Sequence, residues 1–219
     1  MLPLQRAGRK TGCVGFRSVV CHLLSRQMLS PGESIYLKAI ATMMLAVRRI
    51  AVIGCGGAGK STLSRRLGEC LGLPVIHLDR FFWQPDWVAT PDFQWRPIVE
   101  RLATADQWII DGNYLTTLDI RLKRADTIIW LDFRRMTCMY RAIKRIFQSW
   151  TGSERADMAD GCAEKLDWEF LEWIWDFPQK SRPKVLESIQ RYAHARRVVI
   201  LHSPNEIETF LANGLQIPL

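Results

Sequence analysis

From residue 48 onward, short apolar runs alternate with longer stretches in which apolar positions recur every three or four residues. The short runs are "RRIAVI" at 48–53, "PVIHL" at 74–78, "QWIID" at 107–111, "DTIIWLD" at 126–132 and "RVVIL" at 197–201. Each is β-branched or aromatic and bounded by turn residues or charges, the pattern of a buried strand. Between them lie helical stretches. "KSTLSRRLGECLG" places Leu63, Leu67, Cys70 and Leu71 on one face and stops at Gly72, a residue suited to a helix C-terminus. "PDFQWRPIVERLATAD" predicts a helix with Asp92 as N-cap and Ile98, Val99 and Leu102 facing inward. "TLDIRLKRA" predicts a short helix, 135–149 a basic amphipathic one, and further helices follow over about 164–176, 183–195 and in "NEIETFLAN". Residues 79–91 and 151–163 read as loops, the first rich in aromatics and prolines, the second polar. Strands alternating with helices argue for a parallel sheet covered on both faces.

Residues 1–43 break this regularity. They carry Gly, Arg and Ser with isolated apolar residues, and are read as a poorly ordered extension. A targeting peptide, a basic arm and a true start at Met43 or Met44 all fit, the last best. The domain is therefore expected over 44–219. Of the net charge of +8, most of the excess lies in residues 1–47, with six Lys or Arg against one acid. That distribution weakens the nucleic-acid reading that a net charge of +8 would suggest. The apolar run "AIATMMLAV" at 39–47 is about half the ~18 residues that span a bilayer, so no membrane partner is expected. Six cysteines stand at 13, 21, 55, 70, 138 and 162 without CxxC or Cys/His spacing, which predicts buried thiols in a reducing cytoplasm. His22, His77, His194 and His202 show no ligand spacing, and His77, inside a strand, reads as a core residue.

One stretch carries chemistry. "GCGGAGKST" at 54–62 follows a strand, opens a helix, and fits GxxxxGK[ST]. Backbone N–H groups grip a triphosphate only if side chains do not block them, hence Gly54, Gly56, Gly57 and Gly59, with Ala58 small between them. The helix start adds its positive dipole end. Lys60 is placed to reach the β- and γ-phosphates, Ser61 to bind Mg²⁺, and Thr62 to make a secondary phosphate contact. The ligand class is ATP with Mg²⁺. Lys60, a lysine directly after the glycine run, argues against the dinucleotide reading. No NKxD follows the later strands, which argues against a GTPase.

Two strand tips carry acids. Asp111 ends "WIID" beside the loop and suits a water of the Mg²⁺ shell. Asp79 ends the second strand, where ligands of open parallel sheets bind. A carboxylate there can bind or deprotonate an acceptor hydroxyl. Arg80 is a weaker candidate for an acceptor phosphate. Phe81, Phe82, Trp83 and Trp87 make either a stacking wall or core under a loop. In "DFRRMTCMYRAIKRIFQ", Met136, Met139, Tyr140, Ile143 and Phe147 fall near one face, and Arg141, Lys144 and Arg145 on another. Arg141 and Arg145, four apart, can point at one anion and neutralise a transferring phosphoryl group. Arg134 and Arg135 lie nearest the strand tip, and Arg182 in "KSRPK" is a further cleft candidate.

The segments 48–83, 108–135 and 175–189 resemble adenylate-kinase-like P-loop proteins known as DNA topology modulation proteins (FlaR-related), over about 47–213. The resemblance implies a three-layer αβα P-loop NTPase with a five-stranded parallel sheet in the order 2-3-1-4-5 and a helical lid around 134–163. It implies that lid arginines follow the fourth strand and that the loop "HSPNE" meets the purine. The chain departs from adenylate kinases in having GKST for GKGT, and Asn113 and Tyr114 where they carry a phosphate-contacting arginine. The expected function is a kinase transferring the ATP γ-phosphoryl group to a small molecule, nucleoside or nucleotide. The alternative, from the family's label, is a nucleotide-dependent regulatory protein acting on DNA.

Overall fold

The computed structural model describes residues 47–149 and 167–213. The expected extension over 1–43, the loop at 151–163 and the distal part of the lid lie outside these residues. Five strands form one parallel sheet: β1 (Arg49–Gly54), β2 (Val75–His77), β3 (Trp108–Asp111), β4 (Thr127–Leu131) and β5 (Arg197–Leu201). Their order is β2-β3-β1-β4-β5, the one the family resemblance implies. The register sets Val52 beside Asp111 and Gly54 beside Leu131. β3 and β4 are buried along their whole length, as is β1 beyond Arg49. Strands buried on both faces need helices on both faces, which makes the three-layer αβα architecture.

The helices fall where the 3.6-residue period puts them. α1 (Lys60–Leu71) buries Leu63, Leu67, Cys70 and Leu71 and ends at Gly72, in the left-handed region with φ 65°. It packs across β1, β2 and β3. α2 (Asp79–Phe82) is a single turn after β2. α3 (Asp92–Leu102) begins with Pro91 in the capping position and Asp92 already in the first turn, so Asp92 is not the N-cap. There its charge still complements the helix dipole. α4 (Leu118–Arg124) packs on β1, and α5 (Arg135–Ser149) follows β4. α6 (Trp168–Lys180), capped by the Asp167 carboxylate, packs on α5 and on α7 (Arg182–Ala193). α8 (Pro204–Ala212), capped by Ser203, closes on β5.

The stretch 79–91, read as a loop, holds more structure than that. After α2, Trp83–Gln84 pairs antiparallel with Val88–Ala89 across a turn in which Asp86 and Trp87 both take positive φ. Elements of two to four residues are too short to leave a hydrophobic period. No described helix is long and apolar enough to cross a membrane.

Candidate active site

The phosphate loop joins β1 to α1 at the carboxyl edge of the sheet. Gly59 sits at the start of α1 with φ 95°, and Gly57 has φ 77°. Such angles cost a non-glycine residue roughly 1–2 kcal/mol. The Lys60 ammonium curls back over the loop and donates to the Cys55 carbonyl at 3.0 Å. Ser61 lies in the first turn of α1, half-buried, and Thr62 beside it is exposed. Arg141 Nη1 donates to the Ala58 carbonyl at 3.3 Å, so α5 brings a second cation to the same loop.

The glycines have a second reason that their spacing does not reveal. A Cβ at Gly57 would stand 2.2 Å from the Cys138 carbonyl oxygen, and one at Gly56 would meet the Phe170 ring at 2.7 Å. A Cβ at Gly54 would press on the Leu131 carbonyl at 2.8 Å, whereas at Gly59 it would face the Arg141 guanidinium at 3.4 Å. Bare backbone therefore lets α5, α6 and β4 close on the loop as well as keeping it open to a ligand. Gly57→Ala must overcome both the positive φ and the Cys138 backbone. It is expected to cost about 2 kcal/mol or more, lowering Tm by roughly 4–8 °C. Gly72→Ala, with similar φ but nothing within 4 Å, is the control and should lose about half as much. Equal losses in thermal unfolding would remove the α5 contact from the account.

The same contact bears on which face of α5 is buried, and of the five apolar residues grouped from sequence Met139 packs against the core and Ile143 is half-buried. Met136, Tyr140 and Phe147 are 63%, 66% and 58% exposed, while Cys138, Ala142 and Ile146 are buried. Close backbone approach at Gly57 selects the small side chains Cys138 and Ala142 for the contact and turns the bulky ones out. Arg145 stacks on the Phe170 ring at 5.7 Å, one turn beyond Arg141. Arg135 stacks on Trp175, and Arg182 forms a two-pronged pair with Asp132 (2.9 and 2.8 Å) over the Trp130 ring. Of the arginines named from sequence, Arg141 reaches the loop through the Ala58 carbonyl.

Both strand-tip acids are held by partners that sequence did not indicate. Asp111 Oδ2 lies 2.7 Å from His77 Nδ1, and both side chains are buried. His77 is thus a core residue as read, but one turned onto the acid beside the loop. The pair follows from register, since His77 stands directly beside Asp111 on the neighbouring strand. Asp79 Oδ1 accepts a 2.6 Å hydrogen bond from Tyr114 Oη. Burial, reinforced by the Asp79 charge, pushes the Tyr114 phenol above its ordinary value, so it stays a donor. The Tyr114 ring packs on Phe82 and Trp95, and Trp83 packs on Phe82 and Trp87. The aromatics are thus partly core, with Phe81 exposed. Arg80 is exposed.

The loop after β3 rests on a wholly buried cation. Arg121 donates to the carbonyls of Gly112 (2.8 Å) and Tyr114 (3.2 Å), and burial lowers its pKa to about 10. It remains protonated at neutral pH, with the Asp111 charge favouring that form. Asn113 Oδ1, buried in this loop, has no hydrogen-bond partner among the described residues.

A shallow groove opens beside the phosphate loop between Gly59, Thr62, Arg66, Arg141 and Pro204. A larger one of about 550 Å³ lies between α3 and α4 and contains no loop residue. Its Arg96 is already paired with Asp119 and Glu100.

No protein family and no curated protein matches the chain. Among solved structures it is similar to a shikimate kinase from Acinetobacter baumannii in complex with shikimate, at 14% identity over 80% of this chain and 99% of that one, with a TM-score of 0.49. It is also similar to a deoxyadenosine kinase from M. mycoides with bound dCTP (15%, 76% and 98%, TM-score 0.43). A third is a gluconokinase from Sinorhizobium meliloti 1021 (15%, 77% and 89%, TM-score 0.45). Likenesses this distant say nothing of activity, which must come from the chain's own residues.

Proposed function

We propose that the chain binds ATP with Mg²⁺ on the loop 54–62 and transfers the γ-phosphoryl group to a hydroxyl of a small acceptor held at Asp79. The observation that carries this reading is the Lys60 ammonium folded over a glycine loop that opens α1, with Arg141 brought to the same loop. Two cations and a helix N-terminus make a cradle for polyphosphate. The shallow groove between Arg141 and Pro204 takes the nucleoside half, in keeping with the role expected of the "HSPNE" loop.

Mg²⁺ is held in such sites by one or two protein oxygens together with phosphates and waters. The Ser61 hydroxyl at the start of α1 and the Asp111 carboxylate at the tip of β3 are oxygen donors of that kind. Ser61 would hold the ion directly and Asp111 through water, with the second Asp111 oxygen occupied by His77. When bound, the ion neutralises charge between the β- and γ-phosphates. The protein does the rest by positioning. Lys60 and Arg141 stabilise the equatorial oxygens, Arg145 adds a second lid charge when α5 moves, and Tyr114 orients Asp79 toward the acceptor proton.

The test is transfer of labelled γ-phosphate in the presence of nucleosides, nucleotides, sugars and polyols, with duplex DNA as a separate arm. One hydroxyl compound should both stimulate ADP formation and acquire the label. Stimulation by DNA alone, with no labelled acceptor, would replace the kinase reading by the DNA-linked regulatory one.

A further inference from the structure

The segment that leaves β2 at Asp79 carries an unbroken run of rings. The Tyr114 ring, whose hydroxyl donates to Asp79, lies 4.6 Å from Phe82. Phe82 lies 4.9 Å from Trp83, and Trp83 lies 5.4 Å from Trp87. The run divides in two. Phe82 and Tyr114 pack against the hydrophobic core, whereas among the described residues Trp83 and Trp87 are not part of that packing. Both tryptophans are half-buried, so part of each ring faces solvent. Core packing therefore accounts for the inner two rings and not for the outer two.

The turn that presents the outer rings is strained. Asp86 and Trp87 take φ 62° and 61°. That left-handed region disfavours any side chain, and a bulky one most. Such conformations persist where the surroundings over-determine them, and they cluster at ligand clamps. Here the surroundings are firm. Trp83 pairs with Ala89 and Gln84 with Val88 across the turn. The buried Thr90 then ties the hairpin to the end of α2, its N–H and its hydroxyl both donating to the Phe82 carbonyl (2.8 and 2.7 Å). Because α2 begins at Asp79, one short turn carries both the acid and the tryptophans.

We propose that Trp83 and Trp87 form a stacking wall that selects the acceptor, an alcohol whose hydroxyl reaches Asp79 and whose flat aromatic ring, as in a nucleoside, lies against the indoles. The hairpin's chemistry favours a flat ring over a sugar or polyol. Several hydroxyls need several matching polar groups. Beyond the indole N–H groups, the paired strands Trp83–Gln84 and Val88–Ala89 offer only the Gln84 side chain. A flat ring needs no such match, because every aromatic presents a π-face. The spacing agrees. Trp83 follows directly on α2, a single turn of four residues that begins at Asp79, and the rise from acid to indole is about 6 Å. A hydroxyl a few bonds from its ring spans that distance. Placing the hydroxyl at Asp79 rests on the proposed transfer reaction, whereas ring binding at the tryptophans does not.

The test uses the full chain and two kinds of alcohol. Adenosine, thymidine and benzyl alcohol carry an aromatic ring; ribose, glucose and glycerol do not. Binding is measured without ATP by equilibrium dialysis, and transfer with labelled γ-phosphate. At least one ring-bearing alcohol should bind about tenfold or more tightly than every ring-free one, and any labelled product should carry a ring. Trp87→Gly removes the indole where the backbone already suits glycine. Its Tm should stay close to the parent's, while its affinity for that alcohol falls about tenfold or more. Trp87→Phe should recover part of the affinity. Phe82→Ala, which removes a core ring, should instead lower Tm by roughly 5 °C or more. Ring-bearing alcohols bound no better than ring-free ones, or bound equally well by Trp87→Gly, would overturn the proposal. So would a Trp87→Gly Tm as low as that of Phe82→Ala, since the outer rings would then be packing. A ring-free alcohol that acquires the label would overturn the wall and leave the transfer reaction standing. Ring binding that is lost in Trp87→Gly, with no alcohol labelled, would uphold the wall and sink the transfer reaction.

Discussion

Lys60→Ala is expected to weaken ATP binding by about 100-fold or more, the scale on which single charge-stabilising donors act in pre-organised sites. The ammonium donates to the Cys55 carbonyl across the loop, and no hydrophobic core depends on it. The fold should therefore survive, with circular dichroism and Tm close to the parent's, and the loss should appear in the binding isotherm. Lys60→Arg should recover only part of it. A planar fork cannot occupy the place of a compact point charge inside a tight loop. An alanine variant that binds ATP as the parent does would leave the glycine loop a mere strand-to-helix turn. The kinase and DNA-linked readings would then fall together.

The loop was legible because its composition makes little sense otherwise. Four glycines in nine residues weaken any strand or helix, and their placement between "RRIAVI" and an amphipathic helix admits few uses. The strands were legible for the opposite reason, since continuous β-branched runs suit a sheet buried on both faces. Where reading failed, contacts between distant residues decided the outcome. On α5, size and hydrophobicity grouped Met136, Met139, Tyr140, Ile143 and Phe147 on one face, of which Met139 packs against the core while Met136, Tyr140 and Phe147 are exposed. The face that is buried instead carries Cys138 and Ala142, whose backbone closes on Gly57. A period shows that a helix has two faces but not which one meets a glycine. The Tyr114–Asp79 bond joins residues 35 apart, and the His77–Asp111 pair joins residues 34 apart. Neither leaves a trace in local spacing, although the register of β2 against β3 would have supplied the second.

Asp79→Asn should leave ATP binding intact and reduce phosphoryl transfer by about 10²–10⁴, the range of a positioned general base. The substitution is nearly isosteric, and the asparagine oxygen can still accept from Tyr114 Oη. Geometry is thus retained while charge and basicity are lost. Tyr114→Phe makes the complementary change. It keeps the ring against Phe82 and Trp95 but removes the 2.6 Å hydrogen bond that fixes the carboxylate. Its effect on transfer should be smaller, about tenfold, as suits a group that acts through Asp79. Asp79→Asn carrying Tyr114→Phe as well should be little worse than Asp79→Asn alone, since a pair acting as one unit is not additive. All three are read in the labelled-phosphate assay with the stimulating acceptor, against ADP released without it. If Asp79→Asn transfers at the parent's rate, the base lies elsewhere and Tyr114 merely packs a wall. If it fails while Tyr114→Phe fails equally, holding the carboxylate still matters as much as its charge.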